Sequence, residues 1–338
     1  MAKDKRKKRW ILAVLIPFII AVLICVALLI VNHFVPIKYL SAYLVSSKNK
    51  AGKDEMRVTF LDVGLGDCAL VELPDGKIVL IDGGDGSYTH ELSILKCLNS
   101  YGVSKIDFLI STSVKGEHCG GLAEIVRLKS VDYAYIPYCT NTRITPEFHD
   151  FFSQLESSGV NYDYAHSGNG YYDEQNGVFF TFLSPSDWQG PLSEYTTMNE
   201  NPTDANVENA SIITWLQYND TAFIFTSDAR SSTLKTIVDK YELSKSLGEP
   251  FCKLGNFSVN LEDCKVVTVA AHGGAKNTSK TWYEIINPEC AVLSVGDNFA
   301  SLPSLESMAD VCAYVAPIYT SEKGNIVIKV SESGYTIS

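Results

Sequence analysis

Short runs of β-branched and aromatic residues alternate with helical segments over residues 56–338, and this alternation restricts the fold most. The first three runs, RVTFLDV, CALVEL and KIVLID, are separated only by the turn sequences GLGD and PDG, which is typical of antiparallel strands joined by tight turns. From IDFLIST onward, strands and helices follow one another. Two β-rich halves, each with helices on an outer face, predict an α/β (α+β) fold, a four-layered αββα sandwich.

The helices are recognised by residue spacing and by caps. Leucines at 92, 95 and 98 predict a helix over residues 88–101. Thr145 and Pro146 are the cap and first turn of a helix in TPEFHDFFSQLESSG. Further helices are predicted over about 231–242, 280–286 and 303–314. The stretch 184–208, rich in Pro, Asn, Asp, Ser and Thr, is predicted to be a long loop, and such loops are often functional.

The first 55 residues differ in character from the rest. Residues 10–31 are apolar and carry no charge, long enough for a helix to cross a bilayer. The basic segment 1–9 precedes them, which predicts a single-pass protein of the cell membrane with its N-terminus in the cytoplasm. Residues 32–55 then form a polar tether, and residues 56–338 form an extracellular domain. A cleaved signal peptide is the alternative, although its apolar region would be shorter.

Charge and cysteine content limit the partners and the chemistry. Residues 1–9 carry a net charge of +5 and the whole chain −11, so the remainder carries −16. An acidic domain repels phosphate backbones, and no strong nucleic-acid footprint is expected. Eight of the nine cysteines follow the apolar segment, without CxxC spacing. They could form disulfides, but contexts such as DCALVEL and ECAVLSV favour buried free thiols.

Five predicted strands end in polar residues that could converge. They are Asp82 in LIDGG, the turn 113–118, Asp228 in FTSDA, His272 in AAHGG and the turn 297–303. Strand ends at one edge of an α/β sheet usually form the crevice in which a ligand binds. The sequence therefore places its candidate site at these turns.

Taken in order, these motifs resemble the metallo-β-lactamase superfamily, and within it the extracellular hydrolase-like domain of the ComEC competence proteins. The likeness covers about residues 56–330. It is carried by FLDVGLGDCALVELPDGKIVLIDGG, KIDFLISTSVKGEHCGGL, NASIITWLQYNDTAFIFTSDA, VVTVAAHGGAKNTS and NPECAVLSVGDNFASLPS. The resemblance implies the αββα sandwich of that superfamily and a metal-dependent hydrolase site at the strand ends.

The metal motif of the family is degraded in this chain. The family pattern is His-x-His-x-Asp-His, or His-x-Asp-x-Asp-His in many ComEC relatives, whereas this chain has Ser113 and Lys115 at the first two ligand positions. Leu302 stands where the family has a histidine before proline. By resemblance, the ligands that remain are His118, Glu117, Asp228 and His272, with Asp82 orienting them from behind.

Lys115 suggests what replaced the metal. Carboxylates that converge without a cation repel one another and resist burial. We therefore expect the Lys115 ammonium to neutralise Asp82, Glu117 and Asp228, which would keep the fold but end water activation. Asp228 could alternatively cap the helix that begins near Ser231.

Two functions remain open from the sequence. The first is a membrane-anchored, non-catalytic binding or scaffolding module that needs no cofactor and faces an extracellular ligand or protein. The second is a metal-dependent phosphodiesterase or nuclease-like hydrolase with one zinc or manganese ion. In that case Asp228 and Glu117 would be catalytic, and His118, Glu117, Asp228 and His272 would hold the metal.

Overall fold

The computed structural model of the protein describes residues 2–34, 36–48, 50–137, 144–185, 208, 210–298 and 300–338. Most of the predicted long loop over 184–208 lies outside the described residues. The chain forms two compact units, Met1–Ser46 and Ser47–Ser338.

The N-terminal unit is helical. Helix α1 (Ala2–Phe34) is followed by a 3₁₀ helix over Ile37–Tyr43. Apolar side chains described within α1 are exposed, such as Phe18 and Leu29. Among residues described with their side chains, however, no helical stretch is long and apolar enough to cross a membrane. The predicted transmembrane helix over residues 10–31 therefore receives no support from the structure.

The second unit contains two large mixed sheets. The strands of the first are β1 (Met56–Phe60), β2 (Ala69–Glu72), β3 (Ile78–Ile81), β4 (Lys105–Ile110), β5 (Ser130–Ile136), β6 (Asn161–Tyr164), β16 (Ile326–Ser331) and β17 (Gly334–Ile337). Those of the second are β7 (Gly170–Asp173), β8 (Val178–Ser184), β9 (Ile213–Tyr218), β10 (Thr221–Phe225), β13 (Cys264–Thr268), β14 (Cys290–Leu293) and β15 (Pro317–Tyr319). Their orders are β17-β16-β1-β2-β3-β4-β5-β6 and β15-β14-β13-β10-β9-β8-β7, and β11 (Lys253–Leu254) with β12 (Phe257–Ser258) forms a small third sheet.

Helices cover the outer faces of both sheets. They are α2 (Tyr88–Ser100), α3 (Gly116–Cys119), α4 (Leu122–Leu128), α5 (Pro146–Ser157), α6 (Ser231–Leu247), α7 (Lys280–Ile286), α8 (Leu305–Cys312) and α9 (Thr320–Lys323). The predicted helices over 88–101 and 280–286 match α2 and α7 closely. Helix α6 continues past the predicted residue 242 to Leu247, where the left-handed Gly248 ends it.

Alternating side chains on the strands build three separate hydrophobic cores. On β2, Val71 faces the space between the sheets, whereas Leu70 faces the helices α2, α4 and α5. On β9, Leu216 likewise faces the space between the sheets, and Trp215 faces α6 and α7. Because side chains of a strand point alternately to its two faces, a strand with both faces covered reads as continuously apolar. The resulting layers are helix, sheet, sheet and helix, which confirms the predicted αββα sandwich.

The segment before β1 contacts the domain, although the sequence predicted a tether as far as residue 55. The Lys48 backbone N–H donates to the Ser100 carbonyl over 2.6 Å. The Ala51 N–H donates to Glu72 Oε1 over 3.0 Å, and Glu72 Oε2 lies 3.1 Å from the Arg57 guanidinium. Both side chains of that ion pair are almost fully buried. The last residues of the predicted tether are therefore fixed to the domain.

The cysteines that the structure describes are free thiols. Six of those in the second unit are buried, namely Cys68, Cys97, Cys119, Cys252, Cys264 and Cys290, and Cys312 is exposed. Burial raises the pKa of Cys97 to about 12, so its thiol stays protonated at neutral pH. For the described residues, the prediction of mostly buried free thiols is confirmed.

Candidate functional site

Turns that follow the parallel strands of both sheets meet at one edge of the sandwich. Strand β3 is parallel to β4 in the first sheet, and β10, β13 and β14 are parallel to one another in the second. Their carboxyl ends therefore point the same way within each sheet. The polar residues predicted from the sequence as site candidates lie in the turns that follow these strand ends.

Asp82 is the buried carboxylate that orients the first sheet's turn. It follows β3 in a left-handed backbone conformation, with φ of 60°, which is uncommon for a residue other than glycine. The Thr112 N–H donates to Asp82 Oδ1 over 2.7 Å, and His118 Nδ1 lies 2.9 Å from Oδ2. Burial raises the pKa of Asp82, although the charge on His118 opposes that shift.

His118 lies between two carboxylates. Its Nδ1 faces Asp82, and its Nε2 lies 3.2 Å from Asp228 Oδ1. Burial alone would lower the pKa of His118, but the neighbouring charges of Asp228 and Asp82 outweigh it and raise the pKa well above the usual range. These charges favour the imidazolium form, with Nδ1 at hydrogen-bond distance from Asp82 and Nε2 in ion-pair contact with Asp228.

Asp228 connects the second sheet to this imidazolium. It follows β10 and Ser227, whose φ of 49° is left-handed and whose Oγ lies 2.7 Å from the Thr112 hydroxyl. Burial would raise the pKa of Asp228, but His118 and Lys115 hold it well below its ordinary value. Asp228 does not cap α6, because the residue at that cap is Arg230 and no side chain caps the helix there.

Lys115 contributes the ammonium that the sequence predicted at this position. Its Nζ lies 3.0 Å from Asp228 Oδ2, 3.1 Å from Glu208 Oε1 and 3.8 Å from Glu117 Oε1. Burial would lower the pKa of Lys115, but the Asp228 charge outweighs it and raises the pKa above its ordinary value. The prediction that Lys115 would also neutralise Asp82 was wrong, because His118 is the cation beside Asp82.

Two charged residues of the site were missed in the sequence. Glu208 accepts from Lys115 through one oxygen, and its other oxygen, Oε2, lies 2.7 Å from an Arg230 nitrogen. Arg230 comes shortly after Asp228 in the same turn, so its place near the site could have been predicted from the sequence. Glu208 had no such signal, since it comes 93 residues after Lys115.

His272 approaches from the third turn. Ala271 and His272 both have left-handed backbone conformations, with φ of 44° and 53°. Its Nδ1 donates to the Ser294 carbonyl over 2.8 Å. Among the described residues, Nε2 has no hydrogen-bond partner although it is buried. The His118 and His272 rings are stacked with centroids 5.8 Å apart.

The remaining sequence candidates lie around this cluster. Ser113 is buried, and its Oγ accepts from the Lys115 N–H over 3.3 Å. Leu302 packs partly buried against the core beneath α6 and α7, and its N–H donates to Asn298 Oδ1 over 3.0 Å. Neither side chain is a ligand type that zinc prefers.

Two groups of side chains could hold a metal ion by proximity. They are Asp67, His118 and His272, and Glu117, His118 and Asp228, each with ligand atoms within 4.8 Å of one another. Asp67 belongs to the GLGD sequence, which was predicted only as a tight turn between two strands.

These residues fit a metal poorly as they are arranged. His118 has both nitrogens engaged with carboxylates, and the ammonium of Lys115 lies against Asp228. A metal ligand must be unprotonated, so an ion bound by His118 and Asp228 would have to displace both positive charges. Two features do fit a metal: the described residues leave both His272 Nε2 and His118 Nε2 without a hydrogen-bond partner, although the latter contacts Asp228.

Comparison with known proteins gives one curated relative. The chain is similar to ComE operon protein 3 of Bacillus subtilis (strain 168), with 21% identity over 259 residues. The match covers 72% of this chain and 29% of the relative, so this chain spans less than a third of that protein's length. No family model matches the chain.

Three solved structures are similar to this chain. They are the CmlA β-hydroxylase E377D mutant (TM-score 0.44, 8% identity, 80% of this chain and 53% of that chain), Zn²⁺-bound PqqB from Methylobacterium extorquens (0.42, 9%, 78% and 97%) and a metallo-β-lactamase HARLDQ-motif mutant from Cronobacter sakazakii (0.32, 12%, 55% and 71%). With scores below 0.5, these likenesses carry no information about the site.

The sequence match extends over most of the chain, as the motif-based resemblance did. The predicted resemblance to the ComEC-like proteins of the metallo-β-lactamase superfamily is therefore confirmed.

Proposed function

We propose that this protein is a non-catalytic binding module in which Lys115 takes the place of a metal ion. The contact of Lys115 Nζ with Asp228 Oδ2, at 3.0 Å, carries this proposal. An ammonium balances carboxylate charge as a metal ion does. It does not, however, lower the pKa of a bound water to make a nucleophile.

His118, the second cation of the site, also supports a non-catalytic role. His118 lies between Asp82 and Asp228, whose charges favour its imidazolium form, and an imidazolium neither ligates a metal nor accepts a proton from water. The described residues of the site therefore form an internal set of ion pairs around His118 and Lys115. Such a site is suited to holding a charged ligand at its rim.

Hydrolysis is the second candidate function, and the orientation of the two histidines favours it. Each ring has its Nδ1 fixed by an oxygen, Asp82 for His118 and the Ser294 carbonyl for His272. Metal-ligating histidines are usually fixed in this way, with Nε2 left for the metal. A zinc or manganese ion bound there would activate water for hydrolysis of phosphodiesters.

A turnover assay separates the two functions. The purified full chain is incubated with zinc or manganese and given bis(4-nitrophenyl) phosphate, with Asp228→Asn as the matched variant. The proposal expects the parent and the variant to release nitrophenol at the same background rate. Metal-dependent turnover by the parent that is lost in Asp228→Asn would establish the hydrolase instead.

The protein is also proposed to be anchored in the cell membrane by residues 10–31, with the domain outside. The charge-free apolar run and the basic segment 1–9 support this anchor. The test is extraction of cell membranes with alkaline carbonate, followed by protease treatment of intact cells. Release by carbonate, or full protection from protease, would contradict the anchored, outward-facing arrangement.

A further inference from the structure

Lys115 and Arg230 are bridged by a single carboxylate, that of Glu208. One oxygen of Glu208 lies 3.1 Å from Lys115 Nζ and the other 2.7 Å from an Arg230 nitrogen. A carboxylate that gives one oxygen to each of two cations is bound as an external carboxylate ligand would be bound. We propose that Lys115 and Arg230 form a binding site for a ligand carboxylate, and that Glu208 is its internal occupant.

The three side chains lie at the rim of the site. The side chains of Lys115, Arg230 and Glu208 are 24%, 19% and 16% exposed, whereas that of Asp228 is 2% exposed. A ligand therefore reaches the two cations from solvent without opening the buried pairs. The occupant that it must displace, Glu208, is itself more exposed than Asp228.

Charge balance selects the class of ligand. Apart from Glu208, the site near these two cations contains the carboxylates of Asp228 and Glu117, both within 4 Å of the Lys115 ammonium. Glu208 adds one negative charge to this balanced set. A singly charged carboxylate reproduces that state, whereas a phosphate dianion adds a further unpaired charge beside two carboxylates.

The backbone near Glu208 allows an exchange of its side chain. The Ser211 N–H donates to the Glu208 carbonyl over 3.1 Å, and the Ile212 N–H donates to the Thr112 carbonyl over 2.8 Å. These bonds attach the segment to the turn after β4. The Glu208 side chain can therefore rotate away while the backbone stays in place, and Lys115 keeps Asp228 as its partner.

Chemical rescue by a small carboxylate tests this site. The inference rests on the proposed function of the protein as a binding module. In Glu208→Ala, the two cations lack their bridging carboxylate, so added acetate should restore stability. We expect acetate to raise the Tm of Glu208→Ala by about 2 °C or more beyond the rise given by chloride at equal ionic strength. The parent should respond to the two salts equally, because Glu208 already fills the site.

Two controls define the site. Glu289→Ala removes an exposed carboxylate that pairs with one cation, Lys265, and accepts from the Tyr335 hydroxyl, and acetate should not rescue it. In Glu208→Ala/Arg230→Gln the rescue should disappear. Rescue that persists in the double variant, or an acetate response of Glu208→Ala no larger than the parent's, would overturn the site. A larger response to phosphate than to acetate would overturn the carboxylate preference.

This test is independent of the proposed non-catalytic role. Metal-dependent turnover in the phosphodiesterase assay would refute that role, whether or not acetate raises the Tm of Glu208→Ala. A failed rescue without turnover would refute only the carboxylate site.

Discussion

The ammonium nitrogen of Lys115 lies 3.0 Å from the buried carboxylate of Asp228. Lys115 comes from the turn after β4 and Asp228 from the turn after β10, so this contact joins the two sheets at the site. The imidazolium of His118 lies against the other oxygen of Asp228. Asp228 is therefore held by two cations of the chain itself.

Removing the ammonium should destabilise the domain. Breaking a buried ion pair costs about 3–5 kcal/mol, and we expect Lys115→Met to lie near the lower end because the Lys115 side chain is partly exposed. The free energy of unfolding is measured in urea at pH 7.5. Lys235→Met, which removes the exposed pair with Asp239, is the control and should cost less than about 1 kcal/mol. Equal, small losses in both variants would mean that Lys115 behaves as an ordinary surface charge.

Asp75 should make stability depend on pH. Burial would raise the pKa of Asp75, but hydrogen bonds from Tyr171 and Lys77 outweigh it and lower the pKa. Because the folded-state pKa is the lower one, this stabilisation is present above the unfolded pKa of about 3.9 and is lost as pH falls through the folded value. Asp75→Asn should therefore cost about 1.5–3 kcal/mol at pH 7 and progressively less below about pH 4.

The control for that pH dependence is Asp239→Asn. Asp239 pairs with Lys235 on the surface, so its replacement should have little effect at either pH. A cost of Asp75→Asn that is the same at pH 7 and pH 3 would refute the assignment to the Asp75 charge.

Gly120 allows a close backbone approach beside the site. A Cβ atom at this position would lie 2.4 Å from the Asp85 carbonyl carbon, so the backbone itself would have to move. We expect Gly120→Ala to cost about 1–3 kcal/mol, as overpacking does. Gly52→Ala is the control, since its Cβ would come no closer than 3.8 Å to Glu55 Cβ. Thermal unfolding of both variants checks this, and a Gly120→Ala protein as stable as the parent would refute the predicted clash.

Restoring two imidazoles should raise metal affinity. Ser113→His with Lys115→His returns nitrogen ligands to the positions where the family has them and removes the competing ammonium. We expect zinc affinity to rise at least about tenfold, a gain of about 1.4 kcal/mol, in competition titrations with a chromophoric chelator. Ser113→His alone is the control and should gain less, because Lys115 still faces the carboxylates. If the double variant binds zinc no better than the parent, these positions do not adjoin a metal site.

Strand ends and turns could be predicted from the sequence, whereas contacts between distant segments could not. Asp82, His118 and Asp228 each follow an apolar strand, and the structure brings them together. Glu208 follows a long polar stretch without periodicity, so no local pattern linked it to Lys115. The contacts of Lys48 with Ser100 and of Ala51 with Glu72 were also missed. A polar, glycine-containing segment predicts a flexible spacer, and the sequence does not show which distant residues it contacts.

The partner of Asp82 shows why a residue list does not determine an ion-pair network. The sequence supplied the carboxylates and one lysine, and charge balance suggested that the lysine served all of them. In the structure, two cations share these carboxylates. His118 lies between Asp82 and Asp228, and Lys115 lies nearer the rim. Which cation faces which carboxylate depends on the relative placement of turns from two sheets, which short sequence motifs do not encode.

Metal content of the parent and of Lys115→Ala tests the central claim most directly. Each purified full-length protein is incubated with excess zinc, dialysed and analysed by elemental mass spectrometry. If the ammonium takes the place of a metal, the parent should retain far less than one equivalent of zinc. Lys115→Ala should retain more, because Glu117 and Asp228 then lose the competing ammonium. One equivalent of zinc in the parent, unchanged in Lys115→Ala, would contradict the account.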